Sequence, residues 1–116
     1  MVVGVARFSL RFEGVRSLKE KRGQVRTVVD RLRHRFEASV AEVGALDAHQ
    51  RAEIGVAVVS NERAHAERMV QSVLEAARGL GVGVFGDVRT EVLHVGASLP
   101  APGAVLGRWD AFEDGA

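Results

Sequence analysis

The sequence contains no cysteine, which excludes disulfide bonds, thiolate metal sites and a cysteine nucleophile. It also has no apolar run that approaches the roughly 18 residues of a membrane span. The N-terminal apolar run ends at Arg7, which is too early for a secretory signal sequence. With 116 residues of ordinary globular composition, these absences predict a single soluble cytoplasmic domain that folds without disulfides.

The charge is unevenly distributed, although the formal net charge is only +1. Residues 16–35 hold eight of the 16 Lys and Arg residues, and only Glu20 and Asp30 oppose them, so this segment carries +6. A concentrated basic segment is typical of a surface that meets phosphate groups. The pI of about 8.4 is nevertheless below that of a strongly basic nucleic-acid-binding domain, so composition alone does not identify a partner.

Periodicity predicts six elements in the order strand, helix, strand, strand, helix, strand. Apolar and polar residues alternate along the first strand, and Ser17 with Glu20 has the spacing of a capping box at the start of the first helix. Ser60 or Asn61 is a candidate cap for the second helix. The expected ranges are strand 2–13, helix 17–37, strand 38–43, loop 44–51, strand 54–60, helix 61–80 and strand 82–95.

Two successive βαβ units of this kind predict an α+β domain of the ferredoxin-like type. The four strands form an antiparallel sheet in the order 4-1-3-2, and both helices cover one face of it. Gly83 and Gly86 predict a bulge or turn early in the last strand. The domain is expected to span residues 1–95, and a loose tail rich in Pro, Gly and Ala is expected over residues 96–116.

The run Ser-Leu-Lys-Glu-Lys-Arg at residues 17–22 resembles the signature of the YlxP-like family of small uncharacterised bacterial proteins. The resemblance implies a ferredoxin-like fold and association with RNA or the ribosome, because the family's genes often stand among genes for translation and ribosome maturation. The family often has Trp where this chain has His49, so any stacking contact there is weakened. The tail after residue 96 extends past the usual family length. Further similar pieces are Ser-Val-Ala-Glu-Val at 39–43, Gln-Arg at 50–51 and Gly-Val-Ala-Val-Val-Ser at 55–60.

Helical spacing gathers four cations of the first helix into a ribbon about 60° wide beside its apolar stripe. A helix of this length is about 30 Å long, so the ribbon could follow several phosphates. The alternative is an ordinary solvated face with ion pairs such as Arg26–Asp30. The four cations are Lys19, Arg22, Arg26 and Arg33.

The face of the sheet away from the helices is the second candidate surface. It carries arginines but no aromatic side chain, which favours contact with phosphates over base stacking. One alternative is that these arginines pair with Glu13, Glu53 and Glu91. Another is that the small residues of this face pack on a second copy in a homodimer. The complete predicted RNA-binding set is Arg7, Arg11, Arg16, Lys19, Arg22, Arg26, Arg33, Arg51 and Arg89.

No catalytic or metal-binding constellation is predicted, so the protein is expected to be non-enzymatic and to need neither cofactor nor metal. Glu62 and His65 have helical ligand spacing but lack the second helical pair that a di-iron site requires. An acylphosphatase-like hydrolase using Arg16 and Asn61 is the alternative enzyme, and the absence of its glycine-rich loop argues against it. The other histidines are scattered, at His34, His49 and His94.

The tail holds the chain's single Trp. Trp109 and Phe112 are three residues apart and stand among Asp110, Glu113 and Asp114. Such a segment can dock as a short amphipathic turn, either on the protein's own surface or on a partner. The alternative is a disordered end.

Overall fold

The computed structural model describes residues 1–96, and their six elements follow the predicted order. The sheet order β2-β3-β1-β4 is the expected order seen from the other edge, and each strand pair is antiparallel. The ferredoxin-like prediction is therefore confirmed, while the predicted tail lies outside the described residues. The elements are β1 (Val2–Arg11), α1 (Leu18–Arg35), β2 (Ser39–Gly44), β3 (Arg51–Ser60), α2 (Arg63–Gly79) and β4 (Val84–His94).

Strand alternation decides which face of the sheet is buried. The even-numbered residues of β1 and, except for the terminal Ser60, those of β3 are buried under the helices, whereas Arg7, Arg11 and Arg51 point the other way and are exposed. Phe85 of β4 also lies on the helix side, with its ring 4.9 Å from that of Phe8 between centroids. The aromatic residues of the described strands therefore belong to the core. The largest fully buried apolar side chains are Phe8, Leu10, Leu32, Ile54, Val28, Val40, Val58 and Val73.

The central pairing extends further towards the β2–β3 loop than alternation predicted. β3 begins at Arg51 rather than at residue 54, because Arg51 pairs with Arg11 at the end of β1. Beyond that pair, the Phe12 amide donates to the carbonyl of Gln50 at 2.8 Å. Backbone pairing therefore holds polar residues in a strand that their side chains alone did not predict.

An irregularity early in β4 agrees with the expectation of a bulge there. The register between β1 and β4 shifts between Arg7 and Ser9, opposite Asp87, which adopts a φ of 51°. The Ser9 hydroxyl donates to the Gly86 carbonyl at 3.2 Å and contacts Asp87 Oδ2 at 3.0 Å. These contacts stabilise the irregular backbone.

The two helices begin differently. At α1, the Ser17 hydroxyl accepts a hydrogen bond from the Glu20 amide at 3.1 Å, which confirms the predicted cap. At α2 the predicted cap is wrong, because the cap position is Glu62, whose side chain makes no capping bond. The chain stays extended through Glu62, and the Ser60 hydroxyl accepts instead from the Glu62 amide at 3.1 Å. Within residues 1–96, no helix is long and apolar enough to cross a membrane.

Replacing Ser17 with alanine is expected to lower the free energy of unfolding by about 1 kcal/mol, because the Glu20 amide loses its acceptor. Urea denaturation of the two proteins measures the difference. Ser17→Asn is the matched control, since Asn accepts the same bond and should restore most of the loss. Equal midpoints for Ala and wild type would mean that the cap contributes nothing.

A substitution at Gly23 is expected to increase the free energy of unfolding, whereas Ser17→Ala decreases it. Gly23 is exposed in the middle of α1, and a Cβ added there would meet no atom within 4 Å. Gly23→Ala is therefore expected to raise the free energy of unfolding by about 1 kcal/mol, because alanine loses less backbone entropy in a helix. A lower denaturation midpoint for the variant would contradict this.

Candidate nucleic-acid interface

Four cations of α1 form the basic ribbon: Lys19, Arg22, Arg26 and Arg33. All four side chains are exposed. Among residues 1–96, none of them lies within 4.0 Å of a carboxylate, so the alternative pair Arg26–Asp30 is not formed. From Lys19 to Arg33 the ribbon runs about 21 Å along the helix axis.

The first turn of α1 presents side chains rather than free amides. Ser17 accepts from the Glu20 amide, and the Glu20 carboxylate accepts from the Arg16 amide at 3.2 Å. A helix N-terminus ordinarily attracts phosphate through free N–H groups and the helix dipole. Here the capping groups occupy that position with a negative charge. Any phosphate contact on α1 therefore has to come from the lysine and arginine side chains.

The sequence analysis missed one lysine, whose position is the most unusual in the structure. Lys21 is fully buried, and its ammonium donates to the carbonyls of Ala45 at 2.8 Å, Leu46 at 3.2 Å and Arg51 at 3.2 Å. It also lies 3.0 Å from Glu42 Oε2 on β2. The ammonium therefore joins α1 to the β2–β3 loop and cannot contact a partner.

A signal for this burial is present in the sequence. Lys21 precedes Val25 by four residues and Val28 by seven, which places it in the apolar stripe of α1 rather than beside it. The six-residue signature at 17–22 thus divides into different roles. Ser17 and Glu20 cap the helix, Lys21 is buried in the core, and the exposed residues of the basic ribbon are Lys19 and Arg22.

The arginines of the open sheet face are largely paired. Arg51 contacts Glu53 at 2.9 Å, and Arg7 contacts the other oxygen of the same carboxylate at 3.7 Å. Arg11 lies 3.7 Å from Glu13. These three arginines therefore form local ion pairs, as the alternative interpretation of this face predicted. Arg89 is exposed, and within residues 1–96 no carboxylate lies within 4.0 Å of it.

The nine predicted RNA-binding residues do not form one surface. The helices cover one face of the sheet, so the basic ribbon and the sheet-face arginines lie on opposite sides of the domain. Arg16 is exposed just before α1 and adjoins the ribbon. Asn61 follows β3, whose last residue pairs with Val2, about 30 Å along the sheet from the end of β1 that leads to Arg16. Arg16 and Asn61 therefore do not share a site.

Within residues 1–96, no group of three or more His, Cys, Asp or Glu side chains lies close enough to hold a metal ion. Glu62 and His65 both stand at the start of α2, where His65 Nδ1 lies 3.0 Å from the Ser60 hydroxyl. That histidine contact belongs to the local turn.

Comparison with known proteins adds a family match and a fold. Residues 3–82 match the model of a family described as Protein of unknown function (DUF503). A 58-residue stretch of this chain is 40% identical to the uncharacterized protein YlxP of Bacillus subtilis (strain 168). The match covers 50% of this chain and 63% of YlxP, so this chain spans less than two thirds of the length of YlxP.

Two solved structures of designed proteins share the fold. The de novo designed protein Foldit4 has a TM-score of 0.50 and 15% identity, covering 81% of this chain and 97% of that one. The de novo designed protein LFR1 1 with ferredoxin fold has a TM-score of 0.50 and 14% identity, covering 87% and 93%. These likenesses show the fold alone.

Proposed function

This chain belongs to the DUF503 family of proteins of unknown function, and we propose that it is a non-enzymatic protein that binds RNA, free or in a ribosomal particle, through α1. The observation that carries the proposal is the basic ribbon, whose four cations are exposed and lack a carboxylate partner among residues 1–96. Charged side chains that make no local pair remain available for phosphate oxygens.

The chemistry of the ribbon favours backbone contact. Three of its four members are arginines, whose planar fork matches two phosphate oxygens at once. The ribbon contains no aromatic side chain that could stack on a base. Contacts of this kind position a protein on RNA without reporting base sequence. We therefore expect affinity for RNA of many sequences, and steep dependence on salt.

The sheet-face arginines contribute less to this proposal than the sequence analysis assigned to them. Arg7 and Arg51 share the Glu53 carboxylate, so a phosphate would have to compete with an existing ion pair. Their face also points away from α1, so one flat RNA surface cannot meet both. The proposed contact set is accordingly the ribbon together with the neighbouring Arg16.

Fluorescence anisotropy with labelled structured and single-stranded RNA across a salt series tests the proposal. The five cations of this contact set predict that log K falls with log salt at a slope of about −4, if each meets one phosphate. Unlabelled RNA of unrelated sequence should displace the probe as well as the identical sequence does. Absence of binding at low salt would refute the proposal, as would binding that does not weaken with added salt.

Sedimentation of tagged protein with ribosomal particles asks whether the RNA lies in a ribosome. Co-sedimentation at low salt that is lost at higher salt is the expected result, because the contact is electrostatic. Nuclease treatment of the particles is the control, since it should release the protein. Co-sedimentation that persists after the RNA is digested would point to a protein contact instead.

A further inference from the structure

β4 forms one edge of the sheet, and among residues 1–96 no strand pairs with its outer side. It is 11 residues long, whereas β2 at the other edge has six residues. Residues 89–94 pair with residues 2–7 of β1 without interruption, so this part of the edge is regular. A regular edge presents a row of unpaired N–H and C=O groups, which favours pairing with another extended segment.

The features that usually protect a sheet edge are confined to one end of β4. The irregular backbone lies at Asp87, and the strand contains no proline. Beyond Asp87, Val88 is 40% exposed and Thr90 is also exposed. Both residues are β-branched, which suits them to strand pairing. The second half of β4 is therefore open to a further strand.

Two charged side chains of this edge have no opposite charge beside them. Arg89 and Glu91 are both exposed, and neither forms an ion pair within 4.0 Å in the part of the chain that the structure describes. They flank Thr90 on the open sheet face, where Arg89 lies beside Arg7 in the register. Arg7 itself contacts Glu53. The edge thus offers one positive and one negative charge, two residues apart.

We propose that β4 pairs with β4 of a second copy of this chain, antiparallel and about a two-fold axis at Thr90. In this register Arg89 of each copy lies opposite Glu91 of the other, so one symmetric contact neutralises both charges in both copies. Val88 of each copy likewise lies opposite Val92 of the other. The product is a continuous eight-stranded sheet with all four helices on one face.

The neighbouring registers of the same strand pair are less favourable. An axis at Arg89 or at Glu91 would set like charges directly opposite each other, which destabilises a strand pair. An axis at Val88 would bring Arg89 opposite Asp87, whose φ of 51° is not that of a strand. The axis at Thr90 is therefore favoured over these three.

A groove of about 400 Å³ lies between β4 and α2, on the helix side of the same edge. Thr90 and Val92 line it from the strand, and the ion pair between Arg63 and Glu67 lines it from the helix. Because side chains alternate along a strand, Val88 of the second copy would lie on this side, against Val92. The pairing thus covers exposed apolar surface in addition to the backbone edge.

The expected dimer is reversible. One strand pair with its flanking side chains buries less than the roughly 800 Å² per partner of a standard interface, so the dimer should dissociate on dilution. α1 packs against β2, and α2 is the helix that reaches β4, so the pairing leaves the basic ribbon uncovered. The proposal therefore does not depend on RNA binding, and failure of either one leaves the other standing.

Analytical ultracentrifugation of the full chain, from micromolar to millimolar concentration, measures the association. We expect the mass to rise from that of one 12.5 kDa chain towards that of two. Hydrogen exchange of β4 should slow as the concentration rises, while that of β2 at the other edge stays constant. A monomer at every concentration would overturn the proposal, and slow exchange of β4 in that monomer would assign the edge to another segment of the chain.

Charge reversal tests the register. Arg89→Glu and Glu91→Arg each set like charges opposite each other twice, so each should weaken dimerisation by about tenfold. The double variant Arg89→Glu/Glu91→Arg restores opposite charges and should recover the dimer, as should an equal mixture of the two single variants. Arg31→Glu makes the same charge change on an exposed site of α1 and should leave the dissociation constant unchanged. A double variant no better than the single ones would refute the register.

The absence of cysteine permits a direct test of the axis. Thr90→Cys sets the same residue of both copies opposite itself, with Cα atoms about 5 Å apart, a separation that a disulfide can bridge. Mild oxidation should therefore produce a covalent dimer with native circular dichroism. Leu93→Cys is the matched control on the same strand, because its two copies would lie about 20 Å apart. A dimer that Thr90→Cys does not trap, or that Leu93→Cys traps equally well, would place the second copy elsewhere, as on the open sheet face.

Discussion

Replacing Lys21 with methionine is expected to lower the free energy of unfolding by about 3–5 kcal/mol, the range for removing one partner of a buried ion pair. The ammonium bonds three carbonyls and lies 3.0 Å from Glu42 Oε2. Methionine fills a similar volume but donates nothing, so these acceptors would lose their partner together. Typical domains have only about 5–15 kcal/mol of stability, so the variant should lose a large fraction of it.

A matched control separates burial from the loss of a positive charge. Lys19→Met makes the same substitution two residues away on an exposed site, and should change stability by less than about 0.5 kcal/mol. Urea denaturation followed by circular dichroism measures both. A small loss for Lys21→Met, comparable with that for Lys19→Met, would show that the carbonyl contacts do not hold the β2–β3 loop.

A double-mutant cycle with Glu42 tests the ion pair itself. In the wild type, Glu42→Gln leaves the ammonium with its three carbonyls, which should limit the loss. In the Lys21→Met background, Glu42→Gln removes a partly buried, unpaired carboxylate and should cost less or even stabilise. The two losses should therefore not add. Additive losses would mean that the contact between Lys21 and Glu42 contributes no coupling energy.

The contrast between Lys19 and Lys21 shows what the sequence could determine. Period-two alternation placed the even residues of β1 in the core, because a side chain's face is fixed by its position in a strand. Helical periodicity likewise placed Lys19 on the surface. The same spacing puts Lys21 in the apolar stripe, but the sequence analysis did not predict its burial, because a lysine is buried only where acceptors surround it. Those acceptors come from Glu42 and the β2–β3 loop, which tertiary pairing alone brings there.

The sequence was equally limited in predicting ion pairs on the open sheet face. The alternation of β1 and β3 predicted that Arg7 and Glu53 would share a face, and it left a pair between them as one alternative. Whether they meet depends on the register, which sets Arg7 opposite Gly55 and Glu53 opposite Ser9, a diagonal that long side chains can span. The predicted capping residue of α2 was wrong for a related reason. Ser60 and Asn61 are good capping residues, but the backbone stays extended to Glu62.

The second large effect is a change in the salt dependence of RNA binding, which tests whether α1 is the binding surface. Changing Lys19, Arg22 and Arg26 together to glutamine is expected to flatten the slope of log K against log salt by up to about 3, because each phosphate-contacting cation contributes about 1. All three side chains are exposed, so each change should alter stability by less than about 0.5 kcal/mol. Anisotropy across the salt series measures the slope, and circular dichroism checks the fold.

A sheet-face triple variant supplies the control with equal charge. Arg11→Gln, Arg51→Gln and Arg89→Gln also remove three cations, but on the opposite side of the sheet, and they leave the Arg7–Glu53 pair in place. If α1 is the contact surface, this variant keeps the wild-type slope while the helix variant loses most of its own. Equal flattening in both would mean that RNA responds to net charge alone. Flattening confined to the sheet-face variant would move the binding surface from α1 to the open face and refute the proposed site.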